Sequence, residues 1–182
     1  MYLNEKELVR RCQESNRNAQ EEIYRIHSDR LYRLASRYVS DQAAAEDVLV
    51  TAFTKAFARI QSFEFQGDGS LAAWLRKVVV NESLMWLRKQ HNFNLTETLD
   101  ANLEEPDMSQ LTLLEGAEIY QLINRLPTGY RTVFNLHVVE GHSHGEIAGM
   151  LQISEATSRS QLFKAKAQLK KILTREGYHY GT

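Results

Sequence analysis

The sequence predicts an all-α protein: two small helical domains joined by an acidic linker, the C-terminal one a helix-turn-helix. Three observations predict this. Apolar residues recur at spacings of three and four along most of the chain, which gathers them on one face of a helix. Only two prolines and nine glycines interrupt the 182 residues. No stretch sustains the apolar–polar alternation of a half-buried strand, so no sheet is assigned. The length suits one ordinary domain or two small ones.

Taken in order, Asn4 with Glu7 three residues on reads as the start of a first helix, with Cys12 in its core. Asn18 with Glu21 repeats that signal ahead of a face made by Ile23, His27, Leu31, Leu34, Ala35 and Tyr38. Asp41 opens a third helix, whose face is Leu49, Ala52, Phe53, Ala56, Phe57 and Ile60. The run Gln66-Gly67-Asp68-Gly69-Ser70 breaks the pattern, and Ser70 is a good N-cap for a fourth helix. That helix has an apolar stripe (Leu71, Trp74, Leu75, Val78, Val79, Met85) and a basic side (Arg76, Lys77, Arg88, Lys89). The first domain is thus placed at residues 1–92 and the linker at 93–112, where the periodicity fades and Pro106 blocks a helix before it. The second domain, 113–182, is a helix resuming near Gln110 and stopping at Leu126-Pro127, a further piece from Thr128 to Gly141, a short helix from His144 to Leu151, and a last helix capped by Ser154.

Composition excludes several classes. With 43% hydrophobic and 25% charged residues the chain is neither disordered nor membrane-embedded. No apolar run approaches the ~20 residues of a membrane helix. The start, Met1-Tyr2-Leu3-Asn4-Glu5-Lys6, does not look like a cleaved signal peptide. A single cysteine leaves no internal disulfide and no cysteine-based zinc site. A cytoplasmic setting without membrane insertion is therefore expected. His142-Ser143-His144 beside Glu140 and Glu146 lacks an obvious third ligand, Gly67-x-Gly69 lacks the rest of a dinucleotide motif, and nothing arranges itself as a catalytic triad. Neither a metal, a cofactor nor an enzymatic activity is expected.

The formal net charge of -1 conceals three blocks. Residues 1–92 carry 14 basic and 12 acidic side chains, residues 93–118 seven acids and no Lys or Arg, and residues 119–182 eight basic against four acidic. Fields act within about 8 Å at physiological salt, so the blocks matter more than their total.

The strongest pattern lies in the last sixty residues. Glu146-Ile147-Ala148-x-x-Leu151, a short turn, then Ser154-Glu155-Ala156-Thr157 opening a basic helix is a helix-turn-helix pattern. Opposite the stripe Leu162, Ala165, Leu169, Ile172 and Leu173 fall Ser160, Phe163, Lys164, Ala167 and Lys171, with Arg159 at the edge. An aromatic off the core stripe between two cations suits thymine methyls or sugars, while the cations hold phosphates or guanine edges. A helical hairpin with a solvated charged face is the alternative.

Leu126-Pro127-x-x-Tyr130-Arg131-x-Val133-Phe134, Glu140-Gly141-His142-Ser143-His144-x-Glu146-Ile147-Ala148 and Ile153-Ser154 resemble region four of bacterial sigma factors of the extracytoplasmic-function type. Glu22-Ile23-Tyr24, Leu31-Tyr32-Arg33-Leu34-Ala35, Ala45-Glu46-Asp47-Val48 with Phe53, and Phe65-Gln66-Gly67-Asp68-x-Ser70-Leu71-x-x-Trp74-Leu75 with Asn81 resemble their region two. The resemblance implies a non-catalytic subunit that recruits core RNA polymerase to promoter DNA and helps open the duplex. It places Arg159, Ser160, Phe163 and Lys164 on the minus-thirty-five element. It places Phe65, Asp68, Ser70, Arg76, Lys77, Asn81, Arg88 and Lys89 on the minus-ten element, with a flipped base of the melted non-template strand held between the loop 65–70 and the helix bearing Asn81. Asp47, Val50, Thr51 and Phe53 fall on the polymerase-binding helix, where Val50 and Thr51 stand in place of a usual Gln and acid. Ser158 and Gln161 likewise replace a usual apolar and a usual basic residue. The resemblance also implies an anti-sigma partner, and a linker whose acids imitate phosphate inside the enzyme. A plain hydrophilic tether explains those acids equally well. The rival readings are a helix-turn-helix regulator that binds operator DNA by itself, a protein-interaction module, and lastly an enzyme.

Overall fold

A computed structural model describes residues 4–90 and 116–175 of the chain. The expected acidic linker, 93–112, and the helix start near Gln110 lie outside the described residues. Among the described residues every regular element is helical. The chain divides into two compact units at Lys89/Gln90.

The first unit is α1 (Glu5–Gln13), α2 (Arg17–Tyr38), α3 (Gln42–Arg59), a 3₁₀ turn (Ile60–Ser62) and α4 (Ser70–Lys89). α2, α3 and α4 pack on one another in all three pairings, and α1 lies on α2. Ile23, Leu31, Leu34, Ala35 and Tyr38 of α2 are buried with Ala45, Leu49, Ala52, Phe53 and Ala56 of α3 and Leu71, Leu75, Val79, Leu84 and Leu87 of α4. Burying one such Leu or Phe side chain contributes roughly 1.5–3 kcal/mol.

The helix starts are partly as expected. The Asn4 side chain accepts from the backbone N–H of Lys6, and Asp41 accepts from that of Ala44. At α2 the cap is Asn16, accepting from Ala19 N–H at 3.1 Å, so Asn18 lies inside the helix rather than at its start. Ser70 does not cap α4 either. Its hydroxyl accepts from Gln66 N–H at 3.3 Å, and the N–H groups of Gly69 and Leu71 donate to the two carboxylate oxygens of Glu5, at 2.9 and 3.0 Å. A carboxylate from α1 thus meets the unpaired donors and positive end of α4, which a short serine hydroxyl cannot do for two donors at once. On α4 the buried stripe includes Val80 and Ser83, and Met85, expected within it, is 39% exposed.

The second unit holds α5 (Gly116–Asn124), α6 (Thr128–Phe134), a π-helical continuation (Asn135–Val139), α7 (His144–Leu151) and α8 (Glu155–Arg175). α8 packs on α6 and α7. Val133, Phe134, Leu136, Ile147, Leu151, Leu162, Ala165, Leu169 and Leu173 form its core. Arg131 is buried, and its guanidinium donates to the carbonyl of Asn124 at 3.1 Å, closing the end of α5.

α7 and the bend that joins it to α8 are built from local hydrogen bonds. Ser143 Oγ accepts from Glu146 N–H at 3.2 Å while the Glu146 carboxylate accepts from Ser143 N–H at 2.8 Å, a reciprocal cap. Gln152 takes the left-handed conformation (φ 57°, ψ 46°), ending α7, and Ser154 Oγ accepts from Thr157 N–H at 3.0 Å to start α8. The rings of His137 and His144 stack at 4.4 Å, and His144 Nδ1 lies 2.8 Å from the Ser158 hydroxyl on α8. Burial first, then the nearby His137 and Arg159, hold the His144 imidazole below its ordinary pKa.

Two outcomes follow for the second unit. Ser143→Ala removes the hydroxyl half of the cap and should lower stability by about 1 kcal/mol in a denaturation series. Because His144 titrates lower folded than unfolded, its neutral form contributes stability that is complete above the ordinary imidazole value of about 6.5 and is lost as pH falls through the folded value. Melting temperature followed from pH 7.5 to 5 should therefore fall, and His144→Gln should flatten that fall.

Candidate nucleic-acid interface

Three surfaces carry the candidate residues, one in the second unit and two in the first. On α8, Arg159 is exposed and Phe163 and Lys164 are half-buried. Ser160, expected beside Phe163 on the open side, is only 1% exposed, which corrects its placement. The reason is that Thr157, Ser158, Ser160 and Gln161 are all buried. A stripe drawn through apolar residues alone was too narrow on this helix. Turning 100° per residue, the open side centres on Arg159 and Phe163 with Lys166 and Lys170, and Lys164 and Lys171 lie toward its margin. Lys166 and Lys170 are the residues the sequence pattern missed. Spacing of three and four from Phe163 would have found them once polar burial was allowed for. Arg159 pairs with Glu155 at 2.7 Å, both side chains more than half exposed, an ion pair of the kind worth little in water.

On α4 the exposed ridge carries Lys77, Asn81 and Arg88. Asn81 and Arg88 line a cavity of about 390 Å³ with Lys55 and Arg59 of α3 and Val78, Glu82 and Met85 of α4. Lys55 also bonds Glu82 at 2.6 Å across the two helices. The loop is not part of this cavity. Ser70 opens α4 eleven residues before Asn81, a rise of about 16 Å. Phe65 is half-buried and Asp68 exposed in that loop, and Gly67 and Gly69 hold it with φ of 108° and 89°. The neighbouring Phe63 is 9% exposed and meets the Trp74 ring at 5.0 Å, anchoring the loop to α4. Asn81 thus borders a cavity between α3 and α4, with Lys55 and Arg59 among its cations. Arg76 turns to the α2 side instead, lining a separate cavity with Arg30 and Arg37.

The third surface is the outer side of α3. Asp47 and Thr51 are exposed and Val50 is 57% exposed, with Met85 of α4 also open. Phe53 is different from its expected place among them. It is 4% exposed, packed between Tyr24 at 4.8 Å and Phe57 at 5.7 Å, so it belongs to the core rather than to the open surface. Lys89, expected with the minus-ten residues, shares a shallow depression with Asp47 and Thr51. Among the described residues no helix is long and apolar enough to cross a membrane, and no three His, Cys, Asp or Glu side chains gather as metal ligands.

Comparison with known proteins gives the same two parts. Sigma-70 region 2 matches residues 23–93, and Sigma-70, region 4 matches residues 116–169. The chain is 28% identical to the RNA polymerase sigma-H factor of Pseudomonas aeruginosa over 93% of both chains. It is 29% identical to the ECF RNA polymerase sigma factor SigE of Mycolicibacterium smegmatis over 85% of its own length, spanning 62% of that longer relative. It is 27% identical to the ECF RNA polymerase sigma factor SigM of Bacillus subtilis, over 85% of this chain and 95% of that one. Among solved structures, CnrH in complex with the cytosolic domain of CnrY has the same fold at a TM-score of 0.51 and 21% identity, with 93% of this chain and 97% of that one covered. The sigma factor RpoE of Bartonella quintana, solved with the anti-sigma factor NepR, matches at 0.51 and 22%, with 85% and 96% covered. With both sigma modules present in order along one chain, the protein belongs to the sigma-70 family of RNA polymerase sigma factors, of the extracytoplasmic-function type.

Proposed function

We propose that the protein acts as an alternative sigma factor through the three surfaces just described. It binds core RNA polymerase, directs it to specific promoters and assists their opening. The open side of α8 reads the minus-thirty-five element: Phe163 against thymine methyls or sugars, Arg159 exchanging Glu155 for a phosphate or guanine edge, and Lys164, Lys166 and Lys170 along the backbone. Ser160, being buried, acts by supporting that face. The α3–α4 cavity takes the flipped base, with the Asn81 amide reading its edge and Lys77, Lys55, Arg59 and Arg88 attracting the strand. Phe65, Asp68 and Ser70 then shape the approach to that cavity rather than its walls. Asp47, Val50, Thr51 and Met85 face the polymerase, and an anti-sigma protein, as solved with the Bartonella quintana relative, covers surfaces of this type. The protein works in the cytoplasm and performs no catalysis of its own.

The observation that carries this reading is the aromatic-and-cationic side of α8, set directly after the bend of a helix-turn-helix, in a chain that also carries region two. Run-off transcription with core enzyme tests it: a promoter-dependent transcript is expected, and its absence with folded protein refutes the sigma role. Specific operator binding without polymerase would favour a free-standing regulator.

Phe163→Ala should weaken promoter-specific binding by about tenfold, within the ~1–3 kcal/mol of a good base contact, while moving the melting temperature little. A steep fall in melting temperature would make Phe163 a packing residue. Val50→Ala should leave stability unchanged and alter affinity for core enzyme; equal affinity would remove Val50 from the polymerase surface.

A further inference from the structure

We propose that Glu5 and Gln13 of α1 are positioning residues for promoter opening: they hold the two ends of the loop 63–69, so that Phe65 and Asp68 are in place before the melted strand arrives. The proposal rests on the reading above that this loop shapes the approach to the flipped base. α1 buries Leu8, Val9 and Cys12. It packs on α2 and on the 3₁₀ turn that precedes the loop. Its polar side reaches the loop at two places. At the near end the Gln13 amide donates to the carbonyls of Ile60 at 3.1 Å and Phe63 at 2.8 Å, and the Gln61 amide donates to the Gln13 carbonyl. At the far end the Glu5 carboxylate accepts from Gly69 N–H at 2.9 Å and Leu71 N–H at 3.0 Å. Glu5 and Gln13 are eight positions apart, a rise of about 12 Å along the helix.

Both side chains grip the main chain of the loop and its flanks, so they fix its course whatever side chains it carries. The loop has reason to need this. Gly67 and Gly69 stand at φ 108° and 89°, and nothing lies within 4 Å of where a Cβ would sit on either, so no neighbouring wall restrains them. Glycine has the most backbone freedom to lose on ordering. The bonds within the segment are short-range: Phe63 N–H to the Ile60 carbonyl, Ser70 N–H to the Gly67 carbonyl, and Gln66 N–H to the Ser70 hydroxyl. They shape the turns without joining them to another helix. The Phe63 ring on Trp74 ties the first loop residue to α4, and Glu5 ties the last one to α1.

The chemistry of each side chain suits its end. A carboxylate offers two acceptors and a negative charge to the unpaired donors of the α4 start, and an amide offers two donors to the carbonyls that leave the 3₁₀ turn. Leu8, Val9 and Cys12 seat α1 by burial, so its docking has an apolar basis separate from Glu5 and Gln13. What those two add is the geometry of the loop. A loop ordered beforehand spares the strand that ordering when it binds.

The test uses holoenzyme and a bubble promoter. Glu5→Gln keeps the size but turns an amide NH₂ toward one of the two backbone donors, and Gln13→Met keeps the length but removes the donor. Each should weaken bubble binding roughly three- to tenfold, the cost of ordering a few groups on binding, with affinity for core enzyme unchanged. Amide exchange at Gly69 and Leu71 should quicken in Glu5→Gln. Phe65→Ala should weaken bubble binding by itself, and adding Glu5→Gln to it should weaken it little further, because the main group being positioned is gone. Unchanged bubble affinity in either α1 variant, losses that multiply in the double variant, or core affinity that falls in step overturns the positioning role. Should Glu5→Gln not fold, Gln13→Met in the same cycle with Phe65→Ala decides. Equal bubble affinity of wild type and Phe65→Ala refutes the reading that the loop meets the strand, and this proposal with it, whatever the exchange at Gly69 shows.

Discussion

The second unit depends on the close packing of α7 and α8 across a bend of three residues. Gln152 must leave the helical region for the left-handed one, and Ser154 must restart a helix two residues later. Ile147, Leu151, Leu162 and Ala165 then share one core. If that packing opened, α8 would turn its cationic side to no particular direction. Ser143 and Glu146 cap the start of α7, and the bond of His144 to Ser158 ties that start to α8, so polar groups help hold the two helices together. Such an arrangement holds the open side of α8 in one orientation, which limits the ordering cost of any binding there.

In the first unit α4 plays the corresponding part. Its buried stripe is shared with α2 and α3, so both of its flanks form clefts with a neighbour. Each cleft presents cations over an apolar floor, and the exposed ridge with Lys77 and Asn81 runs between them. A single-stranded nucleic acid needs this combination: charge to draw the backbone and a recess for a base freed from its stack. The α1 helix contributes by placing Glu5 at the start of α4, so that the loop carrying Phe65 and Asp68 is tied down by backbone donors.

The division of the α3 surface shows why burial matters more than residue type. Val50, an apolar residue, stands open at 57%, whereas Phe53 three residues later is only 4% exposed. Phe53 instead packs between the rings of Tyr24 and Phe57.

Much of this was legible in the sequence. The period of three and four placed α2, α3, α7 and α8 and most of their core, because burial of one helical face leaves that spacing behind. The caps at Asn4, Asp41 and Ser154 depend on residues a few positions away, and the motifs of both sigma modules are written in short runs. What only the tertiary structure decided came from groups distant in sequence. Glu5, 64 residues from Gly69, took the cap assigned to Ser70. Polar burial of Ser158, Ser160 and Gln161 shifted the open side of α8 toward Lys166 and Lys170. The recess at Asn81 came to be walled by α3, and Arg76 came to face α2, because which neighbour a helix flank meets is set by packing between helices. Local spacing records that a side is buried; it does not record against what.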